Sequence, residues 1–566
     1  MEVLTDENIN PSFKRVKYGI RGWLEDRTYE IKQELEKGVE KPFTEVLIHV
    51  GNPQGMGQPP ITFFRQVKSY LKEKCKEKII LTNEWSFHIC QLNNFQKWLT
   101  MLTDLKRVHA AQDKIEQSEI LCSLFLVRKP HNCLIQEVHP LPSARFSMIS
   151  ILSSLCVRLL CDITIQAMSR IHYRLNDGAD WLLAQSILAL RIAAYQQFLK
   201  IWGYLLNYLT FVEGSYSSTQ GITVVRQDIA DFIAKRDGHP ACYEDIFLIN
   251  GGAEGIEMMM GIVQTADEHG IGRAGVMISV PSYSMYQARL LQYNSHQIFY
   301  HLDEDQNWAF NISELQNKLD EARSQCTPRA LVLINPGNPT GQVLTYQNIQ
   351  EVIKFCAREK LVLFADEVYQ DNVYADGAKF HSCKKVLRDL GPDYTKFQLI
   401  SLHSSAKGYI GETAIMGLAC NPPKPGDESY ERFLKESTGI QESYKKKAKL
   451  TTEILNSLEN VKCNEVAGSM YAFPRITLPQ PAINAAKAHG LPPDEFYCWQ
   501  ALEKTGVYLI PGHVFEMNGD KNNFYFRITI LPSEAKFTPM FERLRKFHRE
   551  FMEQFRQGEE NVKVPA

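Results

Sequence analysis

Lys407, in the run Ser404-Ser405-Ala406-Lys407-Gly408, closes a series that begins with Asn335-Pro336-Gly337-Asn338-Pro339-Thr340-Gly341 and continues with Ala365-Asp366-Glu367-Val368-Tyr369. A lysine amine forms a Schiff base with an aldehyde cofactor, and a carboxylate keeps a pyridine nitrogen protonated so that the ring draws electrons. Lys407 and Asp366 suit these two roles. Asn338 and Tyr369 suit hydrogen bonds to a phenolic oxygen on the same ring. Together they read as a site for pyridoxal 5'-phosphate (PLP). Each motif alone is weak, since a lysine after a serine is usually a solvated surface residue and Asn-Pro with Thr-Gly is usually only a turn. The ordered set carries the reading.

The elements that must position these residues are legible as well. Ala330-Leu331-Val332-Leu333-Ile334 is a continuous apolar run before the Asn-Pro turn, and Leu361-Val362-Leu363-Phe364-Ala365 repeats it before Asp366. Such runs predict strands buried on both faces. Between them Ile349, Val352, Ile353 and Cys356 recur at helical spacing, which predicts an amphipathic helix over 346–358. This is a β-α-β unit whose polar motifs fall at strand ends, where open α/β sheets bind ligands. Phe397-Gln398-Leu399-Ile400 is predicted to deliver Ser404 and Lys407 in the same way.

Upstream, a predicted strand at 246–249 runs into Asn250-Gly251-Gly252-Ala253-Glu254-Gly255 and an apolar helical segment at 256–263. A glycine turn opening a helix offers free amides to a phosphate, here at Gly252 and Ala253, although an isolated turn of this kind is more often structural. Tyr283 is placed to stack on a pyridine ring, and Tyr286 reads as core.

With these residues in hand, the chain resembles the class I aminotransferases of fold type I, specifically the alanine aminotransferase subfamily, over about 16–67, 214–412 and 421–551. The resemblance is strongest in Val16-Lys17-Tyr18-Gly19-Ile20-Arg21-Gly22, the motifs above, Gly468-Ser469-Met470-Tyr471-Ala472-Phe473-Pro474-Arg475 and Phe526-Arg527-Ile528-Thr529-Ile530-Leu531-Pro532. It implies an α/β fold with a mostly parallel central sheet flanked by helices and a smaller α+β domain. It also implies that Arg527 grips the substrate carboxylate, that Gly51 and Asn338 lie against substrate, and that Gly252, Ala253, Tyr283, Asn338, Asp366, Tyr369, Ser404 and Lys407 bind PLP. Read from its own type alone, Arg527 would be a buried ion pair. The implied reaction exchanges an amino group between L-alanine and 2-oxoglutarate in a homodimer, with Lys407 as the catalytic base. The implied organisation is an N-terminal arm and part of the small domain at 1–67, an insertion at 68–210, a PLP-binding domain at 211–428 and the rest of the small domain at 429–566.

The chain departs from that pattern in several places. Relatives carry a phosphate-clamping arginine about nine residues after the lysine, whereas this chain reads Gly408-Tyr409-Ile410-Gly411-Glu412-Thr413-Ala414-Ile415-Met416-Gly417. A block of roughly forty residues, carrying a strand and a helix of the cofactor domain, is missing after Glu412. Ala253 and Ala406 stand where the alanine enzymes usually have serines, and His513 stands where they have the serine of a Pro-Gly-Ser turn. As a lone histidine in a turn, His513 reads as exposed. The stretch 68–210 replaces a short connection and reads as helix-rich, either an acquired insertion or translated non-coding sequence; an insertion and a deletion together point to a mis-spliced or mis-predicted product.

Apolar runs at 146–168 and 181–212 are interrupted by Arg158, Asp162, Arg191 and Lys200, so they read as buried or interfacial helices and not as membrane spans. The formal charge of −2 gives no electrostatic case for nucleic acid. Thirteen cysteines without metal-ligand spacing, and a start lacking an apolar core, point to a reducing compartment, with the cytoplasm as the default. Two other readings stay open: another PLP-dependent transaminase or lyase of the same fold, and a non-catalytic protein that keeps the fold and uses the insertion for membrane or partner contact.

Overall fold

A computed structural model of the 566-residue chain describes residues 22–47, 56–63, 218–265, 272–409, 419–520 and 522–556. The chain divides into two units. One comprises Met1–Arg65, Gly203–Pro425 and Ser429–Ala566, and the other Gln66–Trp202 with Gly426–Glu428. The elements below all belong to the first.

They are α1 (Trp23–Glu36), α2 (Thr223–Asp237), α3 (Gly252–Ile262), β1 (Ala274–Val280), α4 (Ser284–Gln292), β2 (His296–His301), α5 (Ile312–Ala322), β3 (Thr327–Ile334), α6 (Tyr346–Glu359), β4 (Val362–Asp366), α7 (Cys383–Asp389) and β5 (Leu399–Leu402). There follow α8 (Tyr430–Asn456), β6 (Val461–Lys462), β7 (Tyr471–Ala472), β8 (Arg475–Thr477), α9 (Gln480–Ala488), α10 (Pro493–Thr505), β9 (Ile510–Pro511), β10 (Asn523–Thr529) and α11 (Glu534–Arg556).

The first five strands form one sheet in the order β2-β1-β3-β4-β5, with every pairing parallel. Its alternate residues feed two apolar layers. Met277, Leu331, Leu333 and Leu363 enter one, and Val276, Ile278, Val332 and Phe364 the other. That is why the central strands are apolar throughout and show no alternation. Helix α6 buries Ile349, Val352, Ile353 and Cys356 on this sheet, starts where the Thr345 hydroxyl accepts the Asn348 amide (3.1 Å), and stops at Lys360 in the left-handed region (φ 59°). A second sheet, ordered β6-β8-β10-β7 with β9 also on β10, is antiparallel and belongs to the C-terminal part.

Two expectations change. The strand leading to Lys407 lies two residues later than the apolar run suggested, at Leu399–Leu402. Residues 246–249 are extended but form no ladder; the Leu248 amide donates to the Gln220 carbonyl and the Phe247 side chain is 63% exposed. A strand exists only by pairing, and among the described residues β5 has a neighbour, β4, on one edge alone. Yet Ile249 and Leu402 both reach Gly255 of α3, where an added Cβ would lie 2.6 Å from each side chain. Segment 246–249 therefore runs along the same helix as β5 without bonding to it.

Among the described residues no helix is long and apolar enough to cross a membrane. The apolar runs at 146–168 and 181–212 lie outside them.

Candidate active site

The strand ends of β3, β4 and β5 bring the expected residues together. Asp366 is the last residue of β4, 5% exposed, and its backbone carbonyl accepts the Asn335 amide across the β3 turn (3.0 Å). Tyr369 follows three residues on and is buried; Lys407 Nζ lies 6.0 Å from its ring centroid. Asn338, in the turn after β3, accepts from Arg527 Nη1 through Oδ1 at 2.9 Å. Gly252 opens α3, and a Cβ added there would meet only Val368, at 3.9 Å, so the helix N-terminus lies beside the strand end that carries Asp366. The first-turn amides of Gly252 and Ala253 have no acceptor within the helix. Ser404 Oγ accepts the Ala406 amide at 3.2 Å, which rounds the turn into Lys407. Tyr283 precedes α4, packs against both apolar layers and meets Tyr286 edge-on at 6.5 Å. Gly51, and the segment after Tyr409 that lacks the arginine, lie outside the described residues.

Arg527 sits on β10, 3% exposed, and no carboxylate pairs with it among the described residues. The ion pair that its residue type alone suggests does not form among the described residues. Its guanidinium lies 4.0 Å from the Tyr471 ring centroid and 5.2 Å from that of Phe515. A buried planar cation held by an amide oxygen and two ring faces keeps its remaining N–H groups for an incoming anion.

Several residues with work at the site were not singled out by sequence. Tyr286 is core, as expected, but its hydroxyl donates to Asp366 Oδ2 at 2.8 Å. Burial pushes the Asp366 carboxyl above its ordinary range, while the Tyr286 hydroxyl, the Val368 amide and the Lys407 charge act in the opposite direction. Tyr369 and Tyr471 form a hydrogen-bonded pair. Burial and then Tyr471 raise the Tyr369 hydroxyl. For Tyr471 burial acts upward too, but the Arg527 and Lys407 charges and the bond from Tyr369 hold it below the usual phenol range.

Behind β4 and β5 a polar relay braces the same turn. Asp237 accepts from Arg236 Nε (2.7 Å) and Nη2 (2.9 Å), Arg236 Nη1 donates to Gln370 Oε1 (2.6 Å), and Gln370 Nε2 donates to His403 Nε2 (3.0 Å). An amide NH2 only donates, so His403 Nε2 accepts and the ring is neutral. Burial, and then the Arg236 charge, push the His403 imidazole down to about 4, which fits that state. On the far side of Lys407, Asn372 Oδ1 accepts the Gly408 amide at 2.9 Å. Gly408 holds φ 69°, and a Cβ there would lie 3.0 Å from Asp371. These partners are far apart in sequence, so no local pattern marks them.

His513, expected to be exposed, is held instead. Its Nδ1 lies 3.0 Å from Asp494 Oδ2 and its Nε2 3.8 Å from Glu495. The acidic Pro493-Asp494-Glu495 start of α10 supplies partners that the turn sequence does not announce.

The group that these residues would hold is PLP, and the cluster itself fits it. A buried carboxylate at a strand end, an amine beside a buried tyrosine and a helix N-terminus at the third corner match a protonated ring nitrogen, an aldehyde and a phosphate. The ring end is well supplied. The phosphate end is sparse, with Ala253 and Ala406 giving only backbone amides.

Residues 213–411 match the family model described as aminotransferase class I and II, the class that this parallel sheet and its strand-end residues define. An "Alanine aminotransferase 2-like" protein of Danio rerio is 35% identical over 592 aligned positions, covering 98% of this chain and 87% of that one. Alanine aminotransferase 1 of Bos taurus is 34% identical, covering 98% and 96%. Among solved structures, an alanine aminotransferase from Pyrococcus furiosus aligns with a TM-score of 0.46 at 16% identity, covering 60% of this chain and 86% of that one. The chain belongs to the alanine aminotransferase family. The 592 aligned positions exceed its 566 residues, so the Danio rerio relative carries residues that this chain lacks.

Proposed function

We propose that this chain is a PLP-dependent transaminase that moves an amino group from L-alanine to 2-oxoglutarate, giving pyruvate and L-glutamate. The observation that carries the reading is Arg527, a buried guanidinium without a carboxylate partner among the described residues, bound to Asn338 and pressed on Tyr471. Both substrates have a carboxylate beside the reacting carbon, and a fixed fork at this position orients that carbon.

When bound, PLP supplies an electron sink for the carbon that carries the amino group. Asp366, oriented by the Tyr286 hydroxyl, holds a proton on the ring nitrogen. Tyr369 and Asn338 would face the ring oxygen; Lys407 Nζ would hold the aldehyde carbon until the substrate amine takes its place and, once freed, would move the proton at the substrate α-carbon. The α3 amides and Ser404 receive the phosphate. Gly51 is assigned to the substrate side on resemblance alone. A homodimer and a cytoplasmic location complete the reading, the latter supported by cysteines that are all unpaired among the described residues.

Steady-state kinetics with L-alanine, L-aspartate and aromatic amino acids as donors to 2-oxoglutarate test the substrate. L-Alanine is expected to give the highest kcat/KM. An aromatic donor in first place, or amine release without transfer, would overturn the assignment in favour of another transaminase or a lyase of this fold.

A further inference from the structure

Lys447 of α8 is only 4% exposed, and its Nζ donates to the backbone carbonyls of Pro532 (3.0 Å) and Leu531 (3.4 Å). Two acceptors match the two N–H groups of a neutral amine. An ammonium would present a third N–H, met among the described residues by the Tyr444 ring at 4.8 Å. The residue lines a cavity of about 530 Å³, a size that holds small organic ligands, and the lining shares no residue with the Lys407 cluster. Tyr444 and Leu531 give it an apolar floor, while Arg432 and Lys435 stand at its edge. Two carboxylates also line it. Glu436 is occupied by the Thr62 amide (2.7 Å) and hydroxyl (2.6 Å) and by Arg432 Nε (2.9 Å). Glu534 lies 3.8 Å from the exposed Lys446.

We propose that this cavity is a second covalent site, in which Lys447 takes up a small anionic aldehyde or ketone as an imine. The amine nitrogen bonds to the carbonyl carbon, the carbonyl oxygen leaves as water, and both amine hydrogens depart with it. Lys435, with the guanidinium N–H groups that Arg432 does not give to Glu436, receives the anionic group of the ligand. Burial pushes the Lys447 amine down from 10.5 to about 8, with Glu534 acting weakly upward, so a usable fraction is nucleophilic near neutral pH.

The test uses full-length Lys407→Ala protein, PLP as the anionic aldehyde, and borohydride to reduce and fix any imine, followed by peptide mapping. Lys445, Lys446 and Lys449 lie on the same helix outside the cavity lining and serve as internal controls. Label at Lys447 should exceed that at each control by at least about tenfold at pH 7.5 and should saturate with PLP, because the cavity holds the aldehyde at this amine. It should be lost in Lys407→Ala/Lys447→Arg, which keeps the charge and the donors. Label spread evenly over the exposed lysines, or absent from Lys447, would overturn the proposal. Neither result depends on whether the Lys407 site is active.

Discussion

Arg527 has one hydrogen-bonded side chain, Asn338, and two aromatic faces, so removing its fork should affect substrate binding more than folding. Arg527→Lys should raise KM for L-alanine about ten- to a hundredfold, the worth of a charge-assisted contact of about 1.5–3 kcal/mol. Initial-rate measurements decide this, and an unchanged KM would remove Arg527 from the site. At the phosphate end the direction reverses. Ala406→Ser restores a hydroxyl and should tighten PLP binding by about tenfold, read by equilibrium dialysis. His513 gives a pH dependence. Burial opposes its charge, but the Asp494 bond and the Glu495 and Glu516 carboxylates raise its pKa above 6.5. A raised histidine stabilises the fold fully below its unfolded pKa, and that contribution is lost as pH rises through the folded value. His513→Ser should therefore lower Tm more at about pH 5.5 than at about pH 8.5, whereas an equal loss at both would rule out the ion pair. Sequence reached Lys407, Asp366, Tyr369 and Asn338 because the chemistry dictates their types, and Arg527 only through the family resemblance. It gave Tyr286, Tyr471, Gln370 and His403 no role, because what they do depends on a partner brought near only by the sheet.

At the scale of elements, β3, α6 and β4 were legible from apolar runs and helical spacing because each is buried locally and completely. Segment 246–249 has the same composition and fails as a strand, since composition cannot supply a neighbour. The block that the resemblance places after Glu412 would include a strand; among the described residues β5 has one neighbour and 246–249 has none. The turn after β3 is more tightly fixed. Gly341 holds φ 74°, and a Cβ there would lie 2.7 Å from the Tyr471 carbonyl, joining the Asn338 turn to β7. Gly341→Ala should cost about 1–3 kcal/mol in urea unfolding and loosen Tyr471 under Arg527. Unchanged stability would show that the turn tolerates another path.

For the whole molecule, the unit holding the site has its own continuous core, running from Leu24 and Phe43 through the sheet to Phe551. The boundary of the second unit at Gln66 and Trp202 falls near the ends of the unfamiliar stretch that was read as 68–210. Replacing 68–202 with a short linker should leave a single cooperative thermal transition; loss of that transition would mean the second unit is needed for folding. What remains decisive is whether so sparse a phosphate end still captures PLP. The most direct measurement is the visible absorbance of the purified protein mixed with PLP, beside Lys407→Ala, before and after L-alanine. A band that requires Lys407 and bleaches with L-alanine is the expected result. A spectrum identical in the two proteins, or one that L-alanine leaves unchanged, would contradict the account.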